Sequence, residues 1–156
     1  MFSYTFYQWL LFFYIYCFIG WIIESTINSA EQKKFVNRGF LRIPFIPLYG
    51  FGAITMLFSS LWVRDNPTLV FICGALSSTL LEYTTGIIME SIFKMKYWDY
   101  SDIKFNINGR ICLLSTFFWG FLTLFLMYQL HAFVEKIVLG FSEKSLIITL
   151  TAISLV

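Results

Sequence analysis

The chain alternates between long apolar segments and short polar loops, a pattern that predicts membrane-spanning helices. A helix needs about 20 predominantly apolar residues to cross a hydrocarbon layer of about 30 Å. Four segments meet this requirement, at residues 4–23, 45–63, 69–93 and 111–134, and a fifth partial span covers residues 145–156. The pattern therefore predicts an all-α fold, a polytopic helical bundle that forms one transmembrane domain over residues 1–156.

The composition supports a membrane protein over a soluble one. The chain is 58% hydrophobic, 21% aromatic and only 13% charged, whereas soluble domains average about 45–50% apolar and about 25% charged residues. The net charge of +2 and the lack of a basic patch predict no nucleic-acid partner. Cys17, Cys73 and Cys112 have no paired spacing, so we interpret them as small core residues.

The distribution of lysine and arginine predicts the orientation in the membrane. Loops 25–43 and 94–110 hold eight of the eleven basic residues, and the opposite side of a four-span protein holds Arg64, Lys136 and Lys144. Positively charged loops stay in the cytoplasm. We therefore expect a multi-pass plasma-membrane protein with its N-terminus outside and both long loops cytoplasmic.

Two parts of the chain resemble each other in the order of their motifs. The pattern G-x-I-x-E-S occurs at residues 20–25 and 86–91, and each copy is followed by a polar loop, an arginine and an aromatic-Gly-Phe step at residues 49–51 and 119–121. This order predicts an internal repeat of two parallel helical hairpins, an arrangement found in transporters. Chance matching of residues common in spans is the alternative.

Three acids mark the candidate site. Glu82 lies about 13 residues into a predicted span and so near the midplane, and Glu90 lies two turns later on the same helical face. A lipid-facing carboxylate costs several kcal/mol, so this face should point at protein or water. One interpretation is a cation, proton or substrate pathway. The other is structural pairing, with Arg38 and Arg110 as partners of Glu24 and Glu90, while burial would favour a neutral Glu82.

The two inner loops carry the remaining candidates. They are Asn37, Tyr49, Trp98, Asp99, Tyr100, Asp102, Asn106 and Asn108. Because Trp and Tyr favour the headgroup layer, segment 94–110 is predicted to lie along the interface. Capping is the preferred role for the two aspartates, and cation binding is the alternative. We interpret His131 as an interfacial side chain, identify no catalytic residue, and expect no metal or cofactor.

Several motifs together resemble one known family. They read G-W-I-I-E-S, F-V-N-R-G-F-L, P-L-Y-G-F-G, L-E-Y-T-T-G, W-D-Y-S-D and F-N-I-N-G-R-I-C-L, and they are similar to the putative ABC-transporter type IV family of small bacterial permease-like membrane proteins. The resemblance spans roughly residues 19–120 and implies a transmembrane subunit that works with a separate ATPase. It carries over to Glu24, Asn37, Arg38, Gly39, Pro47, Tyr49, Gly50, Glu82, Glu90, Trp98, Asp99, Tyr100, Asn106, Gly109 and Arg110.

The leading functional prediction is a transporter or permease subunit. Its polar site would be lined by Glu82 and Glu90 and closed on the inner side by Glu24, Arg38 and Arg110. Four or five helices make a thin wall for a pathway, so we expect a homo- or hetero-oligomer in the bilayer. The alternatives are a membrane enzyme acting on a lipid or lipid-linked substrate at the inner interface, and a non-catalytic scaffold or sensor.

Overall fold

A computed structural model describes residues 4–39 and 43–154, and these residues are mostly helical. In chain order the elements are α1 (Phe6–Gln32), α2 (Pro47–Ser60) with a 3-10 turn (Leu61–Val63), α3 (Pro67–Phe93), β1 (Asn106–Ile107), β2 (Ile111–Cys112), α4 (Leu113–Phe125), a π-helical turn (Leu126–Leu130), α5 (His131–Leu139) and α6 (Glu143–Ser154). The all-α prediction is confirmed apart from one small antiparallel hairpin formed by β1 and β2.

Within the described residues, three helical stretches are long and apolar enough to cross a membrane. They are Phe6–Gln32, Pro67–Phe93 and Leu113–Leu139, and each has 27 residues. At 1.5 Å per residue each is about 40 Å long, which exceeds the hydrocarbon thickness. The second predicted span corresponds to a shorter apolar helical stretch, Pro47–Val63, and the predicted partial span corresponds to the 12-residue α6.

Local signals set the ends of the two longest helices. The Thr5 hydroxyl caps α1 by accepting the backbone N–H of Gln8, and the Asn66 side chain caps α3 just before Pro67. Proline suits the first helical turn because its missing N–H has no partner there in any case. Both helices end at a lysine in the left-handed conformation, Lys33 with φ 52° and Lys94 with φ 55°.

The chain forms two compact units, Met1–Ile54 with His131–Val156, and Thr55–Leu130. In the first unit α1 packs against α5 and α6, and its buried side chains include Phe12, Val138 and Leu150. In the second unit the dominant packing is between α3 and α4. Gly74 of α3 faces the side chain of Thr123 closely, which brings these two helices into near contact.

The first long loop folds back along α1. Val36 N–H donates to the Ser29 hydroxyl over 2.9 Å, and Ile46 N–H donates to the Cys17 carbonyl over 3.2 Å. The loop thus first contacts Ser29 and then Cys17, which lies 12 positions earlier in α1, or about 18 Å at the α-helical rise. The described part of this loop therefore lies beside the C-terminal half of α1 rather than beyond its end.

The second long loop folds back along α3 in the same way. Asn108 donates to the Tyr83 hydroxyl over 3.0 Å, and the Tyr100 hydroxyl donates to Glu82 over 3.0 Å. Asn108 and Gly109 have positive φ and turn the chain between β1 and β2. Side chains of this loop thus reach positions of α3 that lie about 16 Å before its end at the α-helical rise, and the interfacial location of segment 94–110 stays a prediction.

Candidate functional site

The most deeply placed acid, Glu82, lies where α3, α4 and the second loop meet. Glu82 is buried, with 9% of its surface exposed. The Tyr100 hydroxyl donates to Oε1 over 3.0 Å, and Oε2 accepts the Ser115 hydroxyl over 3.1 Å and the Trp119 indole N–H over 2.9 Å. Every donor is a neutral group. We call Glu82, Tyr100, Ser115 and Trp119 the Glu82 cluster.

The start of α4 explains how two of these donors reach one carboxyl group. Cys112 caps α4 in a reciprocal arrangement with Ser115, which places Ser115 in the first helical turn. Trp119 follows four positions later on the same face. The sequence predicts that this span starts at Ile111, but the helix begins at Leu113 and Ile111 lies in β2.

The electrostatics of the Glu82 cluster are unusual for a buried carboxylate. Among the described residues, no lysine or arginine contacts it, whereas buried charges are normally paired. The hydroxyl of Ser78, one turn away on the same face of α3, is buried without a hydrogen-bond partner in the described part of the chain. Burial, and then the neighbouring Glu82, raise the pKa of Tyr100 to about 12, so this phenol keeps its hydrogen at neutral pH.

Two turns further along α3, Glu90 and Arg110 form the predicted ion pair. Arg110 Nη2 lies 2.7 Å from Glu90 Oε2, and Arg110 Nε lies 3.2 Å from Oε1, which makes the contact bidentate. The hydrogen bond to Glu90 raises the pKa of Arg110. The guanidinium also lies 5.7 Å from the centre of the Tyr83 ring. The stem of Arg110 packs where Gly86 lacks a side chain.

A small cavity lies beside this ion pair. Its volume is about 10 Å³, which is close to the room that one water molecule needs. The lining residues are Gly86, Met89, Glu90, Met95, Lys96, Tyr97, Trp98 and Arg110. In this conformation the cavity is too small for an organic solute.

The third acid has different neighbours from those predicted. Glu24 Oε1 accepts the Tyr49 hydroxyl over 2.7 Å, and Oε2 accepts the side-chain amide of Asn28 over 3.3 Å. Arg38 is exposed, and its backbone N–H donates to the Ser25 hydroxyl over 3.2 Å. The predicted Glu24–Arg38 pair is therefore wrong. The returning loop brings the backbone of Arg38, rather than its side chain, to α1, and the Tyr49 hydroxyl hydrogen-bonds to Glu24 instead.

The remaining candidates in the second loop mainly hold that loop together. Asp99 accepts Ser101 N–H over 2.9 Å and pairs with Lys96 over 3.1 Å. These contacts, led by the Ser101 hydroxyl, lower the pKa of Asp99 to about 2. Asn106 accepts Gly109 N–H over 3.1 Å. Trp98 donates to the Arg110 carbonyl, and Asp102 is exposed.

In the first loop, the candidate residue Asn37 forms hydrogen bonds that hold the loop. Its side-chain oxygen accepts the indole N–H of Trp21 over 2.7 Å and the backbone N–H of Gly39 over 2.9 Å. It therefore joins the described part of the returning loop to α1. The contact explains why an amide at this position suits the loop.

Sequence reasoning missed the partners of two buried groups. Ser115 and Trp119 were not among the candidate site residues, although their four-residue spacing on a predicted helix was a usable signal. His131 is 1% exposed, so its side chain is packed inside the protein. Its Nδ1 lies 2.7 Å from the Tyr16 hydroxyl, and its Nε2 lies 3.2 Å from the Tyr4 hydroxyl.

The structure defines an integral membrane protein. Only 33%, 22% and 22% of the apolar windows in the three long helices are buried inside the molecule. Apolar helices that expose most of their surface are suited to lipid, because exposing the same surface to water would be unfavourable. An acid buried between two such helices is rare and usually marks a functional site.

The family model described as "Putative ABC-transporter type IV" matches residues 11–156, and the chain belongs to this family. The resemblance seen in the sequence motifs is thereby confirmed. No curated protein and no solved structure matches the chain significantly.

Proposed function

We propose that this protein is a permease-like transmembrane subunit of a transport system in the bacterial plasma membrane and works with a separate ATPase. The observation that carries the proposal is the buried Glu82, which lies between two membrane-length helices and, among the described residues, is bound only by neutral donors. Such a costly placement is usually retained for function. The family description gives the class of transporter.

The proposed topology has four spans, a partial fifth span, an external N-terminus and two cytoplasmic loops. The shared order of motifs supports a parallel repeat. In each half, the aromatic residue of the aromatic-Gly-Phe step binds an acid on the preceding long helix, Tyr49 to Glu24 and Trp119 to Glu82, although the motifs align Glu24 with Glu90 rather than with Glu82. The cytoplasmic loops are then the docking surface for the ATPase.

The transport pathway is proposed to form with another chain. The cavity beside Glu90 has room for about one water molecule. The outward side of α3 exposes Leu76 and Leu80, at 64% and 65%. An oligomer would cover part of this apolar surface and enlarge the space available to a solute.

The contacts in the second loop favour transport over the enzymatic alternative. A lipid phosphate would need the guanidinium of Arg110, but its Nε–Nη2 edge is already bound to the carboxylate of Glu90. Asp99, Asn106 and Asn108 are likewise hydrogen-bonded within the protein. These same contacts are compatible with a scaffold, which remains the second candidate.

The test is affinity purification from native membranes in a mild detergent, followed by assay of the reconstituted complex. We expect an ATPase subunit to co-purify, and we expect Glu82→Gln to keep the complex while abolishing transport-coupled ATP hydrolysis. Glu31→Gln, at an exposed position near the end of α1, is the matched control and should be neutral. If no ATPase co-purifies and Glu82→Gln is indistinguishable from the control, the proposal fails.

A further inference from the structure

The donors around Glu82 distinguish between the cations that this carboxyl group could bind. Oε2 accepts both the Trp119 N–H and the Ser115 hydroxyl. An indole nitrogen can only donate, so its hydrogen stays directed at Oε2. The surroundings of that oxygen therefore present the positive ends of dipoles, which disfavour a metal ion there.

Oε1 has a single and more adaptable partner. The Tyr100 hydroxyl donates to Oε1 over 3.0 Å, and a phenol can act as either donor or acceptor. If Oε1 carries a hydrogen, the Tyr100 hydroxyl can rotate and accept it. The two bonds at Oε2 stay in place during this change. One hydroxyl rotation thus accommodates both forms of the carboxyl group.

We propose that Glu82 is a proton-binding site within the membrane, in which the proton resides on Oε1 facing the Tyr100 hydroxyl. The proton arrives from hydronium: an O–H bond forms at Oε1 and the donor leaves as water. On release the same bond breaks and water accepts the proton. No metal ion and no redox partner is required.

A second observation concerns the hydroxyl of Ser78, a polar group that could relay a proton to Glu82. The Ser78 residue is 4% exposed, and its hydroxyl has no partner among the described residues. It lies four positions before Glu82, so the two side chains share a face about 5–6 Å apart. One water molecule can bridge such a gap. Ser78 lies toward the N-terminal end of α3, whereas Tyr100 comes from the loop after its C-terminal end.

The other titratable groups near the site do not neutralise Glu82 by direct contact. On α3, Glu90 is engaged by Arg110. On the segment leading into α4, the Cys112 thiol accepts Ser115 N–H. On the loop, Tyr100 is the phenol already described. Because no charged side chain described here contacts Glu82, gain or loss of a proton is the change that would alter the charge of its carboxyl group.

The experiment is infrared spectroscopy of the purified protein in lipid nanodiscs, from mildly acidic to mildly alkaline buffer. We expect a protonated-carboxyl C=O band that shifts on deuterium exchange and is absent in Glu82→Gln. The glutamine is isosteric and mimics the neutral acid, and Glu90→Gln is the control that should keep the band. This measurement needs neither an ATPase nor transport, so its failure is separate from failure of the proposed function.

Two further variants locate the proton and serve if Glu82→Gln does not fold. The proposal makes Oε2 the C=O oxygen, so Trp119→Phe should move the band to higher wavenumber by removing a bond to it. Tyr100→Phe should move the band less, because it removes the partner of the O–H group. The proposal is overturned if no acid band responds to these substitutions, or if Tyr100→Phe has the larger effect.

Discussion

The contact between Gly74 and Thr123 gives the sharpest test of the packing that supports the Glu82 cluster. A Cβ atom on Gly74 would lie 2.2 Å from Thr123 Oγ1, 2.3 Å from its Cγ2 and 2.4 Å from its Cβ. Rotating the threonine side chain moves the first two atoms but leaves Cβ where it is. Gly74→Ala therefore requires the backbones of α3 and α4 to separate.

The expected cost follows from the size of this overlap. Ordinary carbon contacts are about 3.5–4.0 Å, so the helices must separate by about 1 Å. Overpacking of this kind costs about 1–3 kcal/mol. Alanine favours a helix over glycine by up to about 1 kcal/mol, which offsets part of the cost. We expect Gly74→Ala to lower the free energy of unfolding by about 1–2 kcal/mol.

The assay is equilibrium unfolding of the purified protein in mixed micelles, with Gly52→Ala as the matched control. A Cβ atom on Gly52 meets nothing within 4 Å, so this variant should be neutral or slightly more stable. Thr123→Gly removes the clashing Cβ, and the double variant should recover the cost through a favourable coupling energy. Equal stability of the two alanine variants, or a coupling energy near zero, would refute the reasoning.

Three further predictions concern the two loops. Arg110→Lys cannot reproduce the bidentate contact with Glu90, so amide hydrogen exchange in residues 94–112 should become several-fold faster while α6 is unchanged. The pKa of Asp99 is lowered from 3.8 to about 2, so its contribution to loop stability is complete above pH 3.8 and is lost as the pH falls toward 2; limited acid proteolysis should show this loss, and Asp99→Asn should abolish the pH dependence. Ser25→Ala removes the acceptor for a loop N–H and should speed trypsin cleavage in the first loop, whereas the exposed Thr26→Ala should not.

Local sequence information was sufficient for features that depend on one helix or one short turn. The third predicted span, residues 69–93, agrees with Pro67–Phe93 because Asn66 and Pro67 mark its start unambiguously. The four-residue spacing of Glu82, Gly86 and Glu90 placed them on one face. The first two are buried there. The Glu90–Arg110 pair was also anticipated from opposite charges near the same membrane edge.

Features that depend on returning loops could not be predicted in this way. The bond from Tyr100 to Glu82 joins a loop residue to a helix position about three turns before the helix end. Hydropathy treats such a loop as a connection beyond the membrane, because its residues are polar. The loop instead satisfies its polar groups internally, for example through Asn106 and Gly109, and it contacts α3 through Tyr100 and Asn108.

The two proposed repeats differ at the position of Glu82, and this difference favours a functional role for the Glu82 cluster. The motifs align Glu24 with Glu90, and in that alignment Tyr16 corresponds to Glu82. The first half binds its acid through Tyr49 and bonds Tyr16 to a histidine. The second half engages its corresponding acid with an arginine and adds a further carboxyl group nearer the middle of α3. An acid kept apart from the ion pair can change its charge without breaking that pair. This separation of a structural acid from an exchangeable one is the physical reason to place the chemistry at Glu82.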